Sequence, residues 1–430
     1  MKKLKHLIRY GTAQDNQFIK EHASSLDLLA INANLLCHHS ENISRAIYVD
    51  FSKIGYFIEP KLYVYQNDLR YIKKNDIVKK SYTILANQYN LEYIIDRNEH
   101  LQVKELTDNK LEELVECTFD FQQNWVYDNL NEELKEFSKL SNLKKEPEFL
   151  VIPSFYIRDI EDMEWYYLNL KLIQKSLQYK NQYNQKNMYA NLIIGQEILN
   201  NTELIELILN EYSIADGLLL WINNFNELSV DEKNIESLIY LVQTYKKQNP
   251  QKEIFSLYGG YFQELLNNIG LDGVCHSVAY GESKEVCSLG GAPVVQKYYM
   301  PNLFQRMKPE TMIKLLHNLK LKNKYQFYEK VCDCGICKIN IFDDNIYNRF
   351  LTYLDAIDDN NTSRNNARIN CIKHYLEVKC NEFINITERD FLILIEELKE
   401  IFDTYIDKEY LEKEDIYYLQ KWYNCLKKYK

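Results

Sequence analysis

The 430-residue chain carries a formal charge of −10, with 46% apolar and 27% charged residues. That is ordinary for a folded protein with room for one barrel-sized domain and an appendage, and no apolar run approaches the roughly 18 residues needed to cross a bilayer. The acidic balance weighs against a partner such as tRNA gripped mainly through its phosphates, since that binding draws on Lys/Arg-rich surface.

The opening MKKLKHLIRYGTAQ lacks the apolar block and small-residue cleavage site of a secretory signal, so we expect a cytoplasmic protein. Ten cysteines in such a chain are expected to stay reduced, which makes clustered thiols candidates for metal binding. From Leu26 to Leu36 the pattern reads as a buried strand followed by a helix from Ile43 to Ser52, and Tyr56-Phe57-Ile58 reads as a second strand, stopped at Glu59-Pro60. Helical periodicity without strand signals then marks residues 69–141 as an insertion.

After the insertion, strand and helix alternate. Strands are predicted at Phe149–Pro153, Ala190–Ile194, Gly217–Trp221, Ile254–Tyr258 and Gly273–His276. Helices are predicted at Trp165–Leu177, Thr202–Tyr212, from a Ser229-x-x-Glu232 capping box onward, and at Tyr261–Ile269. Short apolar strands separated by amphipathic helices suit a parallel sheet covered by helices, and a (β/α)8 TIM-type barrel is the expected fold, with an open doubly wound sheet as the alternative. Ligands of such a barrel sit at the carboxyl ends of its strands, which makes Gln196, Trp221, Asn223, Tyr258 and Gly259 the candidate pocket residues. The expected boundaries are 1–300 for the barrel and 301–430 for a metal-binding and helical C-terminal region, with helices near Asn345–Ala356, Arg364–Phe383, Thr387–Tyr405 and Lys408–Lys428.

Cys332, Cys334 and Cys337 form C-x-C-x2-C, a spacing that lets three thiolates converge on one tetrahedral ion. Zinc is the expected metal, with His374 as the preferred fourth ligand and Cys371 and Cys380 as competitors. Four protein ligands would close the site and make it structural.

A βα barrel followed by C-x-C-x2-C and then a histidine resembles the tRNA-guanine transglycosylase family, whose members exchange guanine for a 7-deazaguanine base and carry a structural zinc. The resemblance runs from Ala190 to His374. LIIGQ, ending at Gln196, is similar to the strand that ends in a base-recognising glutamine, SLYGG at Ser256–Gly260 to the strand whose end stacks on the base, and GLDGVCHSVAY to the last strand, which bears the nucleophilic aspartate. Here that position falls on Cys275, or on His276 with one inserted residue, while Asp272 lies at the strand's entry.

A double displacement at a ribose carbon uses a carboxylate, so the departure points away from base exchange in tRNA. Within the family the chain looks like the transglycosylase-like accessory proteins of type IV CBASS anti-phage operons. That resemblance implies a cGAS/DncV-like nucleotidyltransferase partner and a 7-deazaguanine ligand. The alternatives are an active base-exchanging enzyme on tRNA or DNA, using His276 or Cys275 with Glu282, and a zinc-stabilised nucleic-acid-binding module.

Overall fold

A computed structural model of the chain describes residues 3–11, 13–141, 144–183, 186–278, 282–288, 297–354, 361–406 and 416–429. Eight parallel strands form one sheet: β1 (Lys5–Tyr10), β2 (Leu28–Asn32), β3 (Gly55–Glu59), β4 (Leu150–Val151), β5 (Met188–Ile194), β6 (Gly217–Ile222), β7 (Glu253–Ser256) and β8 (Gly273–Ser277). Their order is β3-β2-β1-β8-β7-β6-β5-β4, so first and last strands pair and the sheet curls into a nearly closed (β/α)8 barrel.

The remaining seam, between β3 and β4, is bridged where the Glu148 amide donates to the Tyr56 carbonyl at 2.7 Å. The outer edge of β4 is met by the insertion. Its long helix α1 (Asp108–Asp128) sends Gln122 to β4, where the side-chain amide donates to the Val151 carbonyl at 2.9 Å and accepts from the Val151 amide at 2.8 Å. That side chain takes the place of a strand's peptide group.

Strand β1 was not among the expected strands. KHLIRY carries three basic or imidazole side chains, which mask its period of two. The outer helices largely follow expectation: α2 (Met163–Tyr183), α3 (Thr202–Tyr212), α4 (Glu232–Gln248) and the short α5 (Tyr261–Leu265). The capping box at Ser229 is not used. Asp231 caps α4 by accepting from the Asn234 amide at 2.8 Å, because an aspartate directly before the helix reaches the free amides first.

Inside the barrel, the amino-terminal end is filled by aromatic rings. Phe149 stacks on Tyr189 at 3.9 Å between centroids, with Phe57 and Phe255 beside them. Gly217 on β6 makes room, since a Cβ there would lie 2.5 Å from the Tyr189 ring. The interior is thus plugged at one end, and polar side chains concentrate at the other.

Beyond the barrel come a hairpin, β9 (Tyr298–Met300) with β10 (Gln305–Met307), a short helix α6 (Gly335–Asn340), and the helices α7 (Asn361–Glu388), α8 (Phe391–Ile406) and α9 (Tyr417–Leu426). Helix α8 starts at Phe391 and not at the expected Thr387, with the Asp390 carboxylate accepting from the Leu392 amide, while the Thr387 hydroxyl donates to the Phe383 carbonyl within α7. These elements pack on the barrel. Trp422 donates to the Glu227 carbonyl at 3.1 Å and packs on Phe262, while α7 covers the outer face of β1 and β8. No helix among the described residues is long and apolar enough to cross a membrane.

Candidate functional site

Strand alternation decides what each barrel residue faces. On β1, Arg9 points inward: its guanidinium donates to Asn32 Oδ1 at 2.6 Å and to the Leu257 carbonyl at 3.1 Å, and lies 4.1 Å from the Tyr258 ring centre. His6, of opposite parity, points outward onto Phe383 of α7 at 3.9 Å.

The same alternation separates the two β8 candidates. Cys275 is the register partner of Leu7 and faces the interior, where burial pushes its thiol up to about 11, leaving it neutral and a poor nucleophile. His276 faces out. It meets His6 Nε2 to Nε2 at 2.7 Å and packs edge-on against Tyr375 of α7. Asp272 sits at the amino-terminal end, 2.9 Å from Lys246 Nζ and accepting from the Ile254 amide.

The carboxyl end of the barrel gathers an aromatic floor and a set of charges. Trp221 lies 4.5 Å from Tyr258 and 5.1 Å from Tyr63, ring centre to ring centre. Glu59, ending β3, is 1% exposed and accepts from the Lys61 amide and the Tyr63 hydroxyl. Lys61 is 7% exposed and holds a left-handed backbone, φ 62°.

Across the top runs the segment 282–288. Its Lys284 carbonyl accepts from Trp221 Nε1 at 3.2 Å and from the Asn224 amide at 2.9 Å, and its Val286 amide donates to Asn223 Oδ1 at 2.8 Å. Of the expected pocket residues, Trp221 and Tyr258 pack, nearly fully buried, at the carboxyl end of the barrel, while Asn223 is engaged in holding this segment. Gln196 donates to the carbonyls of Asn223 and Asn224 and sits at the rim. Gly259 is packed: a Cβ there would lie 2.7 Å from Val274 Cγ1, so its smallness serves the approach of the β7 end to β8.

Glu282 belongs to a neighbouring cavity of about 210 Å³, lined also by Glu227, Tyr261, Tyr299, Arg306 and Lys379. Burial opposes its charge, but Arg306 at 2.9 Å holds its carboxyl below the usual range, so it stays ionised and paired. It does not reach Cys275's side of the sheet as a catalytic partner, since its salt bridge directs it to β10. Glu227, pushed up to about 7 by burial, accepts from the amides of Gly260, Phe262 and Gln263 and so caps α5.

The second candidate centre is the thiol cluster. Cys332, Cys334, Cys337 and His374 are all buried, and their ligand atoms lie within 4.8 Å of one another. Cys334 caps α6, which turns the last two thiols toward the same point. His374 arrives from α7 with Nδ1 at 3.8, 3.2 and 3.5 Å from the sulfurs of Cys332, Cys334 and Cys337. Its Nε2 donates to the Tyr299 carbonyl at 2.6 Å, which fixes the tautomer and leaves Nδ1 free to ligate.

Tyr298 stacks on that imidazole at 4.3 Å, with its hydroxyl 3.2 Å from Cys337 Sγ. Four convergent donors of this kind can hold a metal ion. Cys371 and Cys380, the competing ligands, stand outside the cluster.

The residues that sequence reasoning missed are Arg9, Glu59, Lys61 and Lys284. Arg9 was recoverable once β1 was recognised; the two lysines lie in connections without periodicity. No protein-family model matches the chain, and no curated protein matches it in sequence.

Proposed function

We propose that this chain is a transglycosylase-like barrel that binds a 7-deazaguanine-type base at its aromatic mouth and serves a cGAS/DncV-like nucleotidyltransferase in a type IV CBASS system, without base exchange in tRNA. One observation carries the reading. The last strand sends a neutral thiol, Cys275, into the barrel, turns His276 out, and keeps Asp272 at the far end in a salt bridge. A planar base suits the ring surfaces of Trp221 and Tyr258.

Zinc is the metal assigned to the Cys3His cluster, as a structural clamp. With zinc–sulfur bonds of about 2.3 Å and a zinc–nitrogen bond of about 2.05 Å, a tetrahedral ion sets nitrogen and sulfur about 3.5 Å apart. The Nδ1 to Sγ distances of 3.8, 3.2 and 3.5 Å support that choice. Elemental analysis of the purified chain is expected to give one zinc per chain, lost in His374→Ala.

The functional test combines two measurements. Labelled guanine incubated with the chain and tRNA is expected to give no incorporation, and co-purification with the operon's nucleotidyltransferase is expected to give a complex. Failure to recover that complex, with and without deazaguanine, would sink the accessory role.

A second reading, an active base-exchanging enzyme, is favoured by Glu59, a buried carboxylate at the mouth. Incorporation abolished by Glu59→Gln would establish it in place of the first.

A further inference from the structure

The barrel mouth has a charge imbalance that a base alone leaves unanswered. Three cations, Arg9, Lys61 and Lys284, share it with one carboxylate, Glu59. Arg9 is 6% and Lys61 7% exposed. Arg9 uses two of its donors on Asn32 and the Leu257 carbonyl, neither of which carries charge.

Among the described residues, Lys61 and Lys284 form no ion pair; their ammonium groups lie 5.8 Å from the ring centres of Tyr63 and Tyr258 respectively. The nearby acids do not restore balance. Burial raises the phenols of Tyr63 and Tyr258 and the Cys275 thiol, so all three are neutral. Repulsion from Lys61, then burial, brings Lys284 down to about 7. An unpaired ammonium is costly to withdraw from water, and buried charges are normally matched.

Two further details concern these residues. The Tyr258 hydroxyl is buried without a hydrogen-bond partner, although Tyr258 is only 5% exposed. Lys61, at φ 62°, is held in a left-handed backbone that a residue with a β-carbon rarely adopts.

We propose that the mouth of the barrel is a binding site for a compact oxyanion, the phosphate or carboxylate group of a small ligand, held by Arg9, Lys61 and Lys284 with the Tyr258 hydroxyl as a further donor. Trp221 and Tyr258 form the floor. Lys284 closes the site from above on a segment pinned by Trp221, Asn223 and Asn224. A cleft of about 750 Å³, lined by Asn223, Arg158, Tyr156, Glu285 and Cys287, lies beside the segment that carries Lys284 and offers room for the rest of the ligand. Glu59 is committed to the Lys61 amide and the Tyr63 hydroxyl and so does not fill the anion's place. The inference rests on the mouth being the ligand site and adds the charge class of what enters it.

The test titrates the full chain, in Tris chloride at constant ionic strength, with inorganic phosphate, with acetate and with guanine, reading the melting temperature. A saturable rise with phosphate or with acetate is expected, and which of the two gives it identifies the group. Lys284→Gln and Tyr258→Phe should each weaken that binding at least tenfold. Lys284→Gln should also melt higher than the parent when neither anion is present, since it relieves like-charge repulsion.

No saturable rise with either anion, or an equal rise in both variants, overturns the proposal. So does a lower anion-free melting temperature for Lys284→Gln, which would mark the lysine as a structural strut. A rise with guanine alone would remove the anion site while leaving the base-binding reading intact.

Discussion

His6 and His276 meet Nε2 to Nε2 at 2.7 Å, while their Nδ1 atoms face the carbonyls of Ser25 and Ser277 at 3.2 and 3.1 Å. Both rings cannot donate from Nδ1 and remain neutral, since two lone pairs would then oppose each other; one ring carries its proton on Nε2 and releases its carbonyl. Burial, followed by the facing ring and then Lys379, holds His6 well below the usual imidazole range. Burial and then Lys379 bring His276 down to about 3.

A histidine depressed on folding contributes stability that is whole above its unfolded pKa near 6.5 and is lost as pH falls through that value toward 3. Between pH 6.5 and 5, His276 alone should cost about 2 kcal/mol of unfolding free energy. Urea unfolding across that range should show the decline, and His276→Asn should flatten it; an unchanged slope would refute the assignment. The parity that places Cys275 inside and His276 outside was not legible in the sequence, because β8 is apolar or buried on both faces and offers no polar side to orient it.

At the scale of elements, α7 ties the structure together. It supplies His374 to the thiol cluster, Phe383 to β1, and Lys379 to a buried pair of carboxylates, Glu264 of α5 at 2.6 Å and Glu382 at 2.8 Å. Lys379 is 1% exposed and Glu264 wholly buried, so removing the cation leaves two acids without their partner. Lys379→Met should lower unfolding free energy by about 3–5 kcal/mol, read by denaturant titration, and Glu264→Gln in the same chain should restore part of it.

This helix was legible as helix, and the C-x-C-x2-C thiols as a metal motif, because both are local patterns. The choice of His374 over Cys371 and Cys380 is made physically by the Tyr299 carbonyl, which orients the imidazole. Nothing local in the sequence announces Lys379 or Glu264, whose pairing spans 115 positions.

For the whole molecule, barrel architecture was readable from the alternation after residue 149, where strands and helices are short and cleanly bounded. The closing of the ring was not: β4 has two residues, and its outer peptide bonds are met by a glutamine from the insertion. Gln122→Leu should strand a buried amide and carbonyl, costing about 2–3 kcal/mol, and the Val151 amide should exchange with deuterium markedly faster than those of β5 and β6.

The pairing of β1 with β8, and the bond from the Leu4 amide to Thr387 Oγ1, have a consequence for biosynthesis. The first strand to leave the ribosome must wait for some 270 residues before its second neighbour exists, and longer still for the helix that shields His6. Until then a half-made barrel presents an open strand edge, and nascent chains of this length class should engage chaperones until α7 has been translated.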